Sequence, residues 1–215
     1  TLDLFVVLRL ALAGTFCFIL CRKLGAGRTG AWAGGLFFAL TGYFMKHMNQ
    51  VSVSSEMWLP LCLYLTLVIY ERPAAKKVLL ASLVYCLVML GGNPEAAFYV
   101  YFISLLFALF NLVGKNGKAG LFIAGYFVPV TVGVLIASVQ LLPFIEYLGP
   151  GWHIHDTGLH QVAAHPARLL SSLVAPWLLG PSGTSELQKI SVPYVGGLCL
   201  LLAISGFLNR PRERT

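Results

Sequence analysis

Side chains that can take part in chemistry gather in four polar segments, which separate long apolar runs of the sequence. A positioned carboxylate can accept a proton from an attacking hydroxyl group. A lysine, an arginine or a protonated histidine can stabilise the charge that develops on a departing phosphate. The residues that we single out as candidate substrate contacts are Lys46, His47, Asn93, Glu95, Gln140, Glu146, His165 and Arg168. These residue types suit the transfer of a group carried on a phosphate, but no residue stands out as the catalytic base.

Residues 153–156 read HIHD, which raises the question of a metal site. Imidazole and carboxylate groups are ligands of zinc and of other divalent ions. The two imidazoles would share one side only in an extended segment, because side chains alternate along a strand. A divalent metal ion is one interpretation, and a solvated or interfacial loop is the other. No zinc-type Cys/His spacing, phosphate-binding glycine loop or GxSxG motif accompanies the segment.

Residues 91–95 (GGNPE) lie between two apolar runs and predict a tight turn between two helices. The two glycines suit a helix C-terminus, Asn93 is a good N-cap, and Pro94 fits the first turn of the next helix. Glu95 then lies near a helix N-terminus, where the helix dipole favours an anion. Either these residues only cap and turn the chain, or Asn93 and Glu95 face a polar cavity at the membrane surface.

The composition indicates a membrane protein. Of the 215 residues, 58% are hydrophobic and 11% are charged, whereas a soluble domain carries about 25% charged residues. We therefore expect an all-α, polytopic bundle of about seven transmembrane helices, with residues 1–215 in a single membrane domain. The net charge of +7 does not indicate nucleic acid, because the basic residues lie in short loops between apolar runs. The five cysteines lie in apolar runs and are expected to be free thiols.

The predicted spans are residues 2–21, 30–45, 57–70, 78–90, 96–112, 121–143 and 192–208. Pro129 lies inside the sixth span and predicts a kink there. Residues 144–191 form the one sizeable loop outside the membrane. Within this loop, residues 165–174 predict a short amphipathic helix that lies in the membrane interface.

Two of these spans contain residues that predict specific contacts. Gly30 and Gly34 in the second span have the small-xxx-small spacing that permits close helix packing. Arg9 in the first span either forms a buried ion pair with Asp3 or extends its charge outward to the membrane surface.

The distribution of basic residues predicts an orientation. Eleven of the fifteen Lys and Arg residues follow the first, third, fifth and seventh spans. The positive-inside rule makes that side cytoplasmic, so the histidine-containing segments are extracytoplasmic. We expect a multi-pass protein of the cell membrane with its candidate site on the outer face. Because the chain starts at Thr1 without a cleavable signal, we interpret it as an internal fragment of a longer protein.

Several motifs occur in a characteristic order. The chain reads CRKLGAGRTGAWAGGLFFALTGYF after the first span, WLPLCLYL at the start of the third and GGNPEAAFY at the turn. SVQLLPFIEYL and, on the last span, PYVGGLCLLLAISGF follow. In this order the motifs resemble the bacterial YfhO-type membrane proteins, which look like glycosyltransferases of the GT-C fold. Asn93 stands where members of that family often carry histidine, and Glu95 where they often carry glutamine.

The resemblance implies a polyprenyl-phosphate-linked sugar as donor and a cell-envelope polymer or glycolipid outside the cytoplasm as acceptor. It places the catalytic aspartate in a first outer loop upstream of Thr1, so no residue of this chain receives that role. It supports residues 92–95 and 140–146 as cavity-facing segments. No cofactor is implied beyond the possible divalent metal ion.

Two other functions remain open from the sequence. Arg9, Pro129 and Gln140 within spans are compatible with a transporter or a lipid flippase. A transporter typically shows an internal repeat with its site near the membrane midplane, and the sequence shows no such repeat. A structural or assembly role in the cell envelope is the remaining possibility.

Overall fold

A computed structural model describes residues 2–114 and 119–151, together with the single residue Ser205. These ranges consist of helices joined by short turns, and no strand occurs in them. The helices are α1 (Leu2–Lys23), α2 (Arg28–Ala39), α3 (Gly42–Lys46), α4 (Ser52–Glu56), α5 (Leu59–Glu71), α6 (Ala75–Leu90), α7 (Pro94–Gly114), α8 (Ala119–Phe122), α9 (Val128–Ile136) and α10 (Ser138–Gly151). A π-helical turn, Ile123–Phe127, joins α8 to α9. The predicted all-α class is confirmed for the described part of the chain.

Four helical segments among the described residues are long and apolar enough to cross a membrane. They are Asp3–Lys23, Ser52–Glu71, Pro94–Val113 and Ala119–Ile136. At about 1.5 Å per residue, 18 residues extend about 27 Å, close to the thickness of a bilayer core. Large apolar side chains also point outward, as Phe98, Phe110 and Val113 do. Apolar surface outside as well as inside the bundle is what a lipid environment favours.

The remaining predicted spans either differ from the helices of the structure in their bounds or lie outside the described residues. The predicted span over residues 30–45 is divided into α2 and α3, and the side chain of Thr41 caps α3 by accepting a hydrogen bond from the amide of Phe44. Helix α6 has 16 residues. Helix α10 continues through Gly151, so the first residues of the loop predicted at 144–191 are helical. The predicted last span and the amphipathic helix at 165–174 lie outside the described residues.

Near Pro129, where the sequence predicts a kink, the structure has a π-helical turn that ends two residues earlier, at Phe127. Proline lacks an N–H group, and its ring clashes with the carbonyl group four residues earlier in a regular α-helix. A π turn changes the hydrogen-bond pattern over that stretch. Pro129 then occupies the first turn of α9, where no intrahelical hydrogen bond from its nitrogen is needed.

The bundle has two distinct ends. At one, which we call the ion-pair end, α1 and α5 finish side by side, and Lys23 and Glu71 form a salt bridge. At the other, which we call the tip end, the turn between α6 and α7 packs against α4. A Cβ atom on Gly91 would collide there with Ser55. Glu56 precedes Glu71 by fifteen residues, so at about 1.5 Å per residue the two ends are about 22 Å apart.

Three tyrosines link the helices through the core. The hydroxyl of Tyr101 donates to the carbonyl oxygen of Tyr85 at 2.9 Å, and the hydroxyl of Tyr126 donates to that of Tyr101 at 2.9 Å. The rings of Tyr85 and Tyr101 are 5.5 Å apart. An unpaired hydroxyl is costly in an apolar interior, so these hydrogen bonds fix α6, α7 and the π-helical turn relative to one another.

Two glycines allow helices to approach closely. A Cβ atom on Gly133 of α9 would lie 2.7 Å from the carbonyl oxygen of Ser82 and 2.9 Å from the amide nitrogen of Cys86. A Cβ atom on Gly35 of α2 would lie 2.6 Å from the carbonyl oxygen of Gly14 in α1. Any larger residue would force these helices apart.

The small-residue packing predicted for the second span is present, but the contacting face differs from the prediction. Ala31, Gly35 and Ala39 are buried against α1, whereas Gly30 is exposed. Gly34 is half-buried: a Cβ atom on it would lie 2.9 Å from the thiol of Cys21, and its carbonyl oxygen accepts a hydrogen bond from the thiol of Cys17. The predicted spacing of four residues is correct, but the buried series starts at Ala31 and not at Gly30. The sequence does not distinguish these two faces of the helix, because both the lipid-facing and the protein-facing sides are apolar.

Candidate functional site

A polar recess with a volume of about 430 Å³ opens at the tip end, between α3, α4 and the start of α7. Its lining residues are Tyr43, His47, Gln50, Ser52, Glu56, Asn93, Glu95, Ala96 and Tyr99. Ligand sites of proteins typically have volumes of about 300–1,000 Å³ and a few well-placed polar groups. Every lining residue except Ala96 has a polar side chain.

Glu56 is the most constrained polar group in the recess. The hydroxyl of Tyr43 donates a hydrogen bond to its Oε1 atom at 2.8 Å. Its Oε2 atom is buried and has no hydrogen-bond partner among the described residues. A buried carboxylate oxygen without a donor is costly. Tyr43 therefore holds the carboxylate in one orientation, and the second oxygen of the carboxylate lacks a hydrogen-bond donor.

Tyr43 and His47 form the α3 side of the recess. The Nδ1 atom of His47 is 2.9 Å from the carbonyl oxygen of Tyr43, one helical turn earlier, and the two rings are 4.5 Å apart. If Nδ1–H donates to that carbonyl, the neutral ring keeps Nε2 as an acceptor. Burial, followed by the hydrogen bond to Glu56, raises the pKa of Tyr43 to about 12. Tyr43 therefore remains a neutral donor at physiological pH.

The turn between α6 and α7 supplies the opposite wall. Gly92 has a φ of 85°, a conformation that glycine adopts readily. The Oδ1 atom of Asn93 accepts a hydrogen bond from the amide of Ala96 at 3.1 Å, so Asn93 caps α7. Glu95 is exposed in the first turn, and the hydroxyl of Tyr99 lies 3.4 Å from its Oε1 atom. The capping and cavity interpretations of this turn are thus compatible, because Asn93 caps α7 and also lines the recess.

Of the eight candidate contacts, His47, Asn93 and Glu95 are brought together in the recess. They come from two segments that are more than forty residues apart in the sequence. Their shared position follows from the packing of α4 against the start of α7.

The other five candidates are not part of this recess as described. Lys46 is exposed on α3, and Gln140 and Glu146 are exposed on α10. None of these three lines the recess. His165 and Arg168 lie outside the described residues.

Tyr43, Gln50 and Ser52 line the recess but were not singled out from the sequence. Tyr43 lies inside a run that reads as a membrane span, so its hydroxyl was hidden by the apolar pattern. One local signal was present, because Thr41 is a favourable N-cap residue and marks the break before α3. The pairing of Tyr43 with Glu56 depends on tertiary packing and has no signature in the sequence.

The possibility of a metal ion stays a prediction. Over residues 2–114 and 119–151, no group of three His, Cys, Asp or Glu side chains could hold a metal ion. The HIHD segment at 153–156 lies outside those ranges. No disulfide occurs among the described cysteines, namely Cys17, Cys21, Cys62 and Cys86, as expected, and Cys199 lies outside the described ranges.

The fold and the recess together define a class: a helical protein of the multi-pass membrane type, with a polar recess at one end of its bundle. Comparison with known protein families, with curated proteins and with solved structures finds no match to this chain. The likeness to YfhO-type proteins therefore rests on the sequence motifs alone, and the function that it implies is a proposal.

Proposed function

We propose that the chain is part of a GT-C-type membrane glycosyltransferase and that its recess holds the sugar of a polyprenyl-phosphate-linked donor. The observation that carries this proposal is the carboxylate of Glu56, which lines the recess, is held by Tyr43 and has a second, buried oxygen without a hydrogen-bond partner among the described residues. Sugars present many hydroxyl donors, and an ionised carboxylate is a pure acceptor. A hydrogen bond from a sugar hydroxyl to Oε2 would remove the cost of that unpaired oxygen.

The position of the recess suits a lipid-linked substrate. Such a substrate has a polar head, which needs a polar cavity, and an apolar chain, which needs lipid. The recess begins at the first turn of α7, and the same helix presents Phe98 and Phe102 outward, with 61% and 47% of their surfaces exposed. Their rings are stacked with centroids 6.1 Å apart. An apolar chain can therefore run along α7 while the head occupies the recess.

In this proposal some side chains of the recess bind the sugar, and one orients the carboxylate that binds it. Glu56 accepts a sugar hydroxyl, Tyr43 holds that carboxylate in place, and Nε2 of His47 is a second acceptor. Glu95 is exposed at the rim, where its carboxylate can accept a hydrogen bond from a hydroxyl of the acceptor. The general base for transfer is assigned, through the resemblance, to a segment upstream of Thr1. The cell-envelope acceptor is part of the same proposal.

We place the recess outside the cytoplasm. The ion-pair end carries Lys23, Lys76 and Lys77 beside the ends of α1, α5 and α6, and basic residues mark the cytoplasmic side of membrane proteins. The tip end then faces the outside of the cell. This orientation puts the sugar on the side where a cell-envelope acceptor is found.

The experiment is a transfer assay with the full-length protein and a panel of polyprenyl-phosphate sugars. Glu56→Gln keeps the shape of the side chain but removes its charge, and a hydrogen bond to a charged group contributes about 1.5–3 kcal/mol. We therefore expect a loss of about tenfold or more in transfer. Glu146→Gln is the matched control, because Glu146 is exposed on α10 and does not line the recess. Absence of transfer with every donor, together with unchanged glycans in a deletion strain, would refute the proposal.

A transporter is not favoured by this geometry. Transporter sites are typically near the membrane midplane, between two structural repeats. The recess lies at the helix ends, about 22 Å from the ion pair when measured along α4 and α5. Substrate uptake into proteoliposomes by the full-length protein would favour a transporter over a glycosyltransferase.

A further inference from the structure

A second cavity at the tip end contains a buried cation that the proposed function does not use. Arg9 of α1 has only 5% of its surface exposed. The sequence predicted an ion pair with Asp3 or an outward extension of the side chain, and the structure shows neither. Asp3 is exposed, and the guanidinium group of Arg9 reaches across to the segment between α3 and α4.

The hydrogen bonds of Arg9 leave part of the guanidinium group unused. Nη1 donates to the carbonyl oxygen of Gln50 at 3.1 Å and to Oγ of Ser54 at 2.9 Å, and Nη2 donates to the carbonyl oxygen of Met48. A guanidinium group has five N–H donors. Three of them are used here, which leaves one N–H on Nε and one on Nη2. The Nε atom is buried and has no partner in the described ranges.

The charge of Arg9 is also not balanced nearby. The partners of its guanidinium group are neutral oxygens, and no carboxylate in the described residues forms a salt bridge with it. The ring of Phe5 lies 4.5 Å from the guanidinium carbon and fixes the orientation of its plane. A buried cation without an anion is costly, so an incoming anion would be strongly favoured.

The cavity beside Arg9 has a volume of about 360 Å³. Its polar lining consists of Arg9, Asn49, Gln50 and Ser54, and no acidic residue lines it. Its apolar lining consists of Phe5, Val6, Val51 and Leu90. Nε and Nη2 of arginine form a fork that matches two oxygens of a phosphate. Amide and hydroxyl donors beside it are suited to the remaining phosphate oxygens.

We propose that this cavity binds the phosphate group of a membrane lipid, with Arg9 as its main contact. The apolar lining from α1 and α6 distinguishes it from a site for a free anion, because Phe5, Val6 and Leu90 offer contact to an acyl or prenyl chain. Leu4 and Leu8, the neighbours of Arg9 along α1, are exposed and extend this apolar surface outward.

The two cavities differ in charge and share one lining residue. Gln50 lines both the recess and the Arg9 cavity. The recess carries Glu56 and Glu95, which repel phosphate, whereas the Arg9 cavity carries a cation and no carboxylate. A phosphate group is therefore expected in the Arg9 cavity and not in the recess. The binding of phosphate at Arg9 does not require glycosyl transfer, and it can be tested separately.

The test measures lipid binding by native mass spectrometry of the purified full-length protein. The probes are phosphatidic acid, diacylglycerol with the same acyl chains, and inorganic phosphate. We expect phosphatidic acid to bind at least tenfold more tightly than diacylglycerol, and Arg9→Gln to abolish that preference. Arg9→Lys keeps the charge but loses the fork, so we expect an intermediate loss. Lys76→Gln is the control, since Lys76 is an exposed cation at the ion-pair end that does not line the cavity.

Several results would overturn the proposal. Equal binding of phosphatidic acid and diacylglycerol to the wild-type protein would show that the phosphate is not recognised. Competition by inorganic phosphate at similar concentration would show that the lipid chain contributes nothing. If Arg9→Gln does not fold, Ser54→Ala replaces it, and a preference for phosphatidic acid that is unchanged in both Ser54→Ala and Arg9→Lys would also contradict the assignment. Failure of glycosyl transfer with intact binding would refute only the proposed enzyme function.

Discussion

The close packing of α9 against α6 gives the sharpest prediction of stability. Gly133 of α9 faces the backbone of α6, and a Cβ atom there would lie 2.7 Å from the carbonyl oxygen of Ser82, 2.8 Å from Cβ of Tyr85 and 2.9 Å from the amide nitrogen of Cys86. None of these atoms belongs to the flexible end of a side chain. Gly133→Ala therefore requires α6 and α9 to move apart.

The size of the effect follows from two opposing terms. Overpacking a well-filled core costs about 1–3 kcal/mol, and three simultaneous contacts with rigid atoms place this site at the upper end. Replacing glycine by alanine inside a helix recovers about 1 kcal/mol. We expect a net loss of about 2 kcal/mol, which corresponds to a fall in melting temperature of roughly 4–8 °C for a chain of this size.

The assay uses the protein's own cysteines. Cys62 and Cys86 are buried, so a thiol-reactive fluorescent dye labels them only when the bundle opens on heating. Gly120→Ala is the matched control, because a Cβ atom at Gly120 of α8 has no atom within 4 Å. That variant should be as stable as the wild type or slightly more stable. Equal melting temperatures for Gly133→Ala and Gly120→Ala would refute the close packing of α6 and α9.

Three further predictions concern the tip end, and each is measured by the same thermal assay. Tyr43→Phe removes the hydrogen bond to Glu56 and should destabilise the protein by about 1.5–3 kcal/mol. Because the pKa of Tyr43 is raised to about 12, its contribution to the stability of the fold is fully present below pH ~10 and is lost only towards pH ~12. The loss of stability caused by Tyr43→Phe should therefore be the same at pH ~7 and pH ~9, and unequal losses would contradict this. Asn93→Ala should cost about 1 kcal/mol through loss of the N-cap, whereas Asn93→Asp should cost little; equal losses would argue against capping. Gly91→Ala should cost about 1–3 kcal/mol through collision with Ser55, and Ser55→Ala in the same chain should recover part of it; a harmless Gly91→Ala would argue against that contact.

The sequence predicted best what is determined locally. The turn between α6 and α7 was predicted residue by residue, because Gly92, Asn93 and Pro94 each have a conformational preference that acts within a few residues. The long apolar runs likewise predicted α1 and α7 closely, because their length and composition suffice to identify a helix that can span a membrane.

What the sequence could not show depends on contacts between distant segments. Nothing local pairs Tyr43 with Glu56, so the centre of the recess was missed. For Arg9 the sequence predicted either an ion pair with nearby Asp3 or an outward extension, whereas its actual partners lie about forty residues away. Apolar periodicity gives little help in a membrane protein, because the side of a helix that meets lipid and the side that meets protein are both apolar.

The proposed function requires the recess to open outside the cytoplasm, which labelling of single cysteines can measure directly. Glu95→Cys places a thiol at the rim of the recess, and Lys76→Cys places one at the ion-pair end; both positions are exposed. Each is introduced into a full-length protein whose native cysteines are replaced by alanine, and cells are treated with a membrane-impermeant maleimide. We predict that Glu95→Cys is labelled in intact cells and that Lys76→Cys is labelled only after the cells are permeabilised. Labelling of both from the same side, or of Glu95→Cys only after permeabilisation, would contradict the account.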